Sequence, residues 1–197
     1  SAEAFLNNNP LPAEILSIIS YIRSDILDEE QVSGAIDRMY TESENLNGVF
    51  FAPGKISYGS FTQTDIEMAV EVMAPKIRGL LNLSNALGEH RPGFVCLISS
   101  ISGITPSFSK GMVAYATGNA FLDAYAALKH SEGLPWFSVD WSLWRNTGMA
   151  GMVNSTGDAL PDALHPLDPA LACRMVDRII SLNKGNMIVL DPLDRQK

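Results

Sequence analysis

Tyr115 stands near the head of "MVAYATGNAFLDAY" (112–125), with Asn119 four positions later. It is either a core aromatic or a phenol held over a substrate. A phenol is a poor acid at neutral pH, because its unperturbed pKa is about 10. It becomes a useful proton donor when an ammonium stabilises its phenolate and a serine hydroxyl helps hold the substrate oxygen. The apolar run "GFVCLIS" (93–99) leads into "SSISG" (99–103), which offers Ser100 as that hydroxyl. Lys76, just after Pro75, is the candidate ammonium. Each residue also has an ordinary role. A tyrosine early in a helix usually packs half-buried, a lysine after proline is usually solvated, and a serine pair at a strand end is commonly just a turn.

The elements that must position these groups alternate along the chain. "ILSIISYI" (15–22) is short, apolar and β-branched and reads as a buried strand. "SDILDEEQVSGAIDRMYTE" (24–42) reads as a helix with Asp28 as N-cap and Val32, Ile36 and Met39 on one face. "LNGVFFA" (46–52) is a strand ended by Pro53-Gly54. The pattern over 62–87 is a long helix in which Pro75 predicts a kink or break. Strand 93–99, helix 113–133 closed by Gly133, strand 135–141, helix 168–182 and strand 186–191 complete the series. Strands separated by long helices, each a continuous apolar run, predict an α/β fold with a mostly parallel sheet covered on both faces. In such sheets ligands bind beyond the carboxyl ends of the strands. The serine pair, the tyrosine, Asp25, "APG" (52–54) and "WSLW" (141–144) all follow strands or open helices there. The segment 145–165 breaks the rhythm. It is rich in glycine, with Met149, Met152 and Val153 between, and is read as a lid over the crevice.

The composition bounds the partners. The 197 residues are 46% apolar and 18% charged, enough for one domain with a sizeable core. The net charge of −8 disfavours nucleic acid and anionic membranes, which call for a basic face. Cys96 and Cys173 are far apart, and Cys96 lies in an apolar run, so free thiols and a cytoplasmic setting are expected. His90, His130 and His165 are scattered, and no metal-ligand spacing is present.

Five blocks in this order, "GVFFAPG", "MAPKIRGL", "FVCLISSISG", "YATGNAFLDAYAALKHSEGLP" and "WSLWRNTGMA", resemble the ketoreductase domains of modular polyketide synthases. These belong to the short-chain dehydrogenase/reductase superfamily. The resemblance runs from about Asp25 to the C-terminus. It implies a Rossmann-like three-layer fold that binds NADPH and reduces a β-ketoacyl thioester on an acyl carrier protein. It further implies that Tyr115 gives the proton, with Ser100, Lys76 and Asn119 as the other catalytic residues. Asp25 would lie near the adenine, and Ala52 and Gly54 would line the cofactor. An α-ketoacyl reductase of a peptide synthetase would use the same residues, and a non-catalytic half-domain of the same fold is the third reading.

Three departures from the family pattern stand out. Ser100 precedes Tyr115 by 15 residues where the family usually has 13, the spacing that Ser102 keeps. The strand end and the "SS" pair favour Ser100. The usual "LDD" block reads "ISY" (56–58), and the tryptophan of the opposite stereochemical class is absent before Tyr115, so the product configuration stays open. No G-x-G-x-x-G occurs in the chain. The first strand–helix–strand unit of the fold, which cradles the cofactor pyrophosphate, is therefore expected from an N-terminal segment or a neighbouring synthase domain.

Overall fold

The computed structural model describes residues 12–43, 45–58, 65–147 and 164–192. In chain order the elements are α1 (Ala13–Leu16), α2 (Glu29–Glu42), β1 (Val49–Phe51), α3 (Ile66–Leu87), β2 (Val95–Ser100), α4 (Val113–Ser131), β3 (Trp136–Trp141), β4 (Leu164–His165), α5 (Pro169–Leu182), β5 (Asn186–Val189) and β6 (Asp191–Pro192). Two single 3-10 turns, Ile101–Gly103 and Pro106–Phe108, link β2 to α4. The main sheet has the order β1-β2-β3-β5, and every pair is parallel. The short strands β4 and β6 pair antiparallel, apart from it.

Period-two alternation sends neighbouring residues of each strand to opposite faces. Phe51, Val95, Leu97 and Trp136 face α2, α3 and α4, where they meet Ile36, Leu80, Leu83, Leu87, Leu122 and Ala126. Cys96, Phe137, Val139 and Val189 face α5 and meet Ala172 and Ile179. The result is three layers, as the periodicity predicts. Burial of the Cys96 thiol pushes its pKa up to about 12, which leaves it inert as a nucleophile.

Local chemistry sets the helix ends. Asp28 and Asp168 cap α2 and α5 by accepting the backbone N–H of Gln31 and Leu171. At the end of α4, Gly133 takes φ +81° and donates to His130 O, while Leu134 donates to Lys129 O. This paired closure favours glycine at the left-handed position.

Two expectations are corrected. Residues 15–22 are not a strand: a four-residue helix, Ala13–Leu16, gives way to irregular backbone. The apolar side chains there have no sheet to enter, and Ile18 is 78% exposed. A strand needs a pairing partner, which hydropathy alone does not reveal. Of the kink or break expected at Pro75, the break does not occur: the helix runs without interruption from Ile66 to Leu87. A proline inside a helix costs about 3 kcal/mol. Burial of Val72, Leu80, Leu83 and Leu87 along the same helix, at about 1.5–3 kcal/mol each, outweighs it.

The expected lid, 145–165, lies mostly outside the described residues, Gly148, Met149, Gly151, Met152, Val153 and Gly157 included. Its ends are anchored. Arg145 N donates to Leu167 O at 2.8 Å, Leu167 N donates to Leu143 O at 2.7 Å, and Leu164–His165 belong to the small antiparallel pair. Among the described residues, no helix is long and apolar enough to cross a membrane, and no group of side chains could hold a metal ion.

Candidate active site

The site forms where β2 ends and α4 begins. Ser100 closes β2, and its hydroxyl accepts the backbone N–H of Ser102 at 3.2 Å, turning the chain into the first 3-10 turn. The turn carries Ser102 inward, where it is buried and its hydroxyl accepts from Asn119 Nδ2 at 3.1 Å. Ser100 itself stays partly open. The two serines are thereby told apart: Ser102 is spent on Asn119, and Ser100 keeps one side toward solvent.

Tyr115, Asn119 and Asp123 recur every fourth residue and so share one face of α4. Tyr115 is 8% exposed and Asn119 fully buried. Burial pushes the Tyr115 phenol up, while the Asn119 and Ser100 side chains pull it down. Asn119 Oδ1 completes no hydrogen bond among the described residues.

Lys76 reaches this face from α3. It is 3% exposed, and its ammonium donates to Ile98 O at 2.9 Å. The nitrogen lies 5.6 Å from the centre of the Tyr115 ring. Burial pulls its pKa down to about 8, and the charge of Asp123 works against that fall. A glycine on α4 eases the approach: a Cβ at Gly118 would stand 3.3 Å from Lys76 Cδ and 3.4 Å from Lys76 Cβ. The loop after β1 arrives at the same lysine, since a Cβ at Gly54 would lie 3.8 Å from Lys76 Cε. Ala52 is exposed in that loop.

A family model, that of the KR domain, matches residues 12–146. The chain belongs to the ketoreductase domain family of polyketide synthases. Polyketide synthase PksN of Bacillus subtilis is 33% identical over 138 residues, 66% of this chain and 2% of that protein. Among solved structures, the ketoreductase from the first module of phoslactomycin biosynthesis in Streptomyces sp. HK803 is 30% identical with a TM-score of 0.71, covering 87% of this chain and 39% of that one. An A1-type ketoreductase superposes with a TM-score of 0.82 at 22% identity, over 91% of this chain and 37% of that one. The fold is that of the short-chain dehydrogenases/reductases, as expected. The chain spans less than half the length of each of these relatives.

The structure gathers Tyr115, Lys76, Asn119 and Ser100, with Gly54 beside the lysine. Asp25 stands apart. It is exposed before α2, its Oδ1 accepts from Leu27 N at 2.9 Å, and its own N–H donates to Gln31. No hydrogen bond or ion pair among the described residues joins it to the Tyr115 group.

Asp123, Ser138 and Asp140, beneath the site, are not singled out by the sequence, and Ser99 is named there only as half of the serine pair. Ser99, Ser138 and Asp140 are buried, and they lie around Asp123. A signal was present: in "WFSVDW" (136–141), Ser138 and Asp140 alternate with apolar residues, which places both on the sheet face toward α4.

Proposed function

We propose that this domain performs the proton-donating part of NADPH-dependent reduction of a β-ketoacyl thioester carried by an acyl carrier protein. The observation that supports this most is the buried Lys76 ammonium under the Tyr115 ring. A buried cation is costly, and beside a phenol it has a use: it stabilises the phenolate left after proton transfer. Tyr115 Oη donates a proton to the carbonyl oxygen of the substrate. The Ser100 hydroxyl donates a hydrogen bond to the same oxygen, which needs the open side that Ser102 lacks. Asn119 holds Ser102 and fixes the turn that aims Ser100.

The residues fit one end of the cofactor. Gly54 leaves room beside Lys76, and the loop 52–54 leaves β1 at the edge where ligands meet a parallel sheet. NADPH, when bound, would supply the hydride. We assign Ala52 and Gly54 to its nicotinamide half and Asp25, exposed at the head of α2, to its adenine end. The pyrophosphate is assigned to no residue of this chain, which carries no G-x-G-x-x-G. A neighbouring synthase segment would hold it. Free Cys96 and Cys173 suit a reducing, cytoplasmic setting.

The test is mass spectrometry of an acyl carrier protein charged with a β-ketoacyl thioester, incubated with NADPH and the synthase that contains this domain. The acyl chain should gain one hydride and one proton. An unchanged β-ketoacyl mass, with an α-ketoacyl thioester reduced instead, would move the assignment to the peptide-synthetase reaction. Reduction of neither would refute it.

A further inference from the structure

Lys76 poses a physical problem. Its nitrogen is buried with one carbonyl as hydrogen-bond partner. One dipole does not offset the lost hydration of an ammonium; a buried cation without a counter-charge sheds its proton. A neutral amine could not stabilise a phenolate. Something must hold the charge, and no ion pair within reach includes Lys76 among the described residues.

We propose that Asp123 is a positioning residue for the reduction: it is the buried counter-charge that keeps Lys76 an ammonium beneath Tyr115, while Asp140 beside it carries the proton of the acid pair. The inference rests on the ketoreductase reading only for its effect on rate.

The placement supports it. Asp123 lies two α4 turns beyond Tyr115 on the same stripe, so the phenol, the amide and the carboxyl face β2 and α3 together. Asp140 stands opposite on β3, paired in register with Ser99 of β2. The titratable groups facing this space are Lys76 from α3, Tyr115 and Asp123 from α4, and Asp140 from β3; Ser99, Asn119 and Ser138 are neutral. Two adjacent buried carboxylates repel, so the pair holds on to a proton. Asp140 is the deeper acid, 2% exposed, and burial followed by the Asp123 charge pushes it up to about 7. Burial raises Asp123 as well, but Ser99, Ser138, Asp140 and Lys76 all draw it back toward the carboxylate. Asp123 Oδ1, Asp140 Oδ1 and Ser138 Oγ complete no hydrogen bond among the described residues. Lys76 and Asp123 are coupled by charge in this buried setting, where charges interact strongly. One carboxylate, one carboxylic acid and one ammonium leave the cluster neutral overall.

The experiment follows protonation directly. The Lys76 amine is observed by NMR of Nζ-labelled protein, and the two carboxyls through their labelled Cγ atoms, while kcat is measured against pH. In wild type, Lys76 should titrate near 8 and one of the two carboxyls near 7. In Asp123→Asn, the Lys76 titration should fall by at least about one pH unit, and kcat at pH 8 should drop at least about fivefold with its alkaline limb moved the same way. In Asp140→Asn, the titration near 7 should vanish while the Lys76 titration moves much less. An unmoved Lys76 titration in Asp123→Asn, or an equal movement in both variants, would overturn the proposal. If Asp123→Asn does not fold, wild type and Asp140→Asn still decide: two carboxyls that both lose their protons below about pH 5 would overturn it. Wild type that reduces no ketoacyl thioester would refute the functional reading instead, and the NMR would still decide the coupling.

Discussion

Lys76→Met should stabilise the fold at neutral pH while abolishing reduction. The magnitude follows from burial. In the folded state the lysine pKa falls from 10.5 to about 8, which corresponds to about 3 kcal/mol against the ammonium at pH 7. Methionine has nearly the same reach and no charge, so this cost disappears. The variant gives up the bond to Ile98 O, worth about 1 kcal/mol, and leaves Asp123 without its cation. The net gain should be about 1–2 kcal/mol at pH 7. The sign reverses the usual expectation for a lost hydrogen bond, and its pH dependence is diagnostic. The folded pKa lies below the unfolded one, so between about 8 and 10.5 the unfolded chain holds more protons. Wild-type stability therefore rises with pH through that window, and the advantage of the variant should shrink by about 1 kcal/mol between pH 7 and pH 9. Urea denaturation followed by the fluorescence of buried Trp136 and Trp141 measures both. A variant less stable than wild type at pH 7, or a difference that does not change with pH, would refute the reasoning and make Lys76 a structural lysine.

Other predictions test separate parts of the site. Ser100→Ala should lower kcat more than Ser102→Ala, because Ser100 alone keeps an open side; the reverse order in a kcat comparison would favour the 13-residue spacing. Gly118→Ala should change stability by less than about 1 kcal/mol, since the helix propensity it gains offsets contact at 3.3 Å with Lys76. It should still depress kcat by displacing the ammonium, and an unaltered kcat would separate the lysine from the chemistry. Asp168→Ala, which removes the cap on α5, should cost about 1 kcal/mol in urea denaturation and leave kcat unchanged.

The order of elements was readable because the strands are continuous apolar runs and the helices carry caps at Asp28 and Asp168 and a stop at Gly133. Tyr115 and Asn119 were readable as a pair because four-residue spacing fixes one helix face. The burial of Lys76 is not readable from local pattern, since it arises only when α3 and α4 close over Gly118. The sequence offers it as the candidate ammonium after Pro75, and the resemblance of "MAPKIRGL" to synthase ketoreductases points to the same residue. Asp123 is hidden for the same reason, whereas Asp140 is marked by its alternation with the apolar residues of β3. An aspartate in mid-helix ordinarily faces water, and only the packing of α4 on the sheet brings the two acids together. The misread strand 15–22 has the right composition, but hydropathy does not say whether a neighbouring strand is there to pair with it.

The central claim is that the Tyr115 phenol protonates the ketone. The most direct measurement compares wild type with Tyr115→Phe in NADPH-dependent reduction of a β-ketoacyl thioester on its acyl carrier protein, with urea denaturation as the control for folding. Only the hydroxyl is removed, so the ring packing over Lys76 survives. The account predicts loss of at least about a hundredfold in kcat, the range of a general acid, with stability changed by less than about 1 kcal/mol. Reduction near the wild-type rate by a folded variant would contradict it.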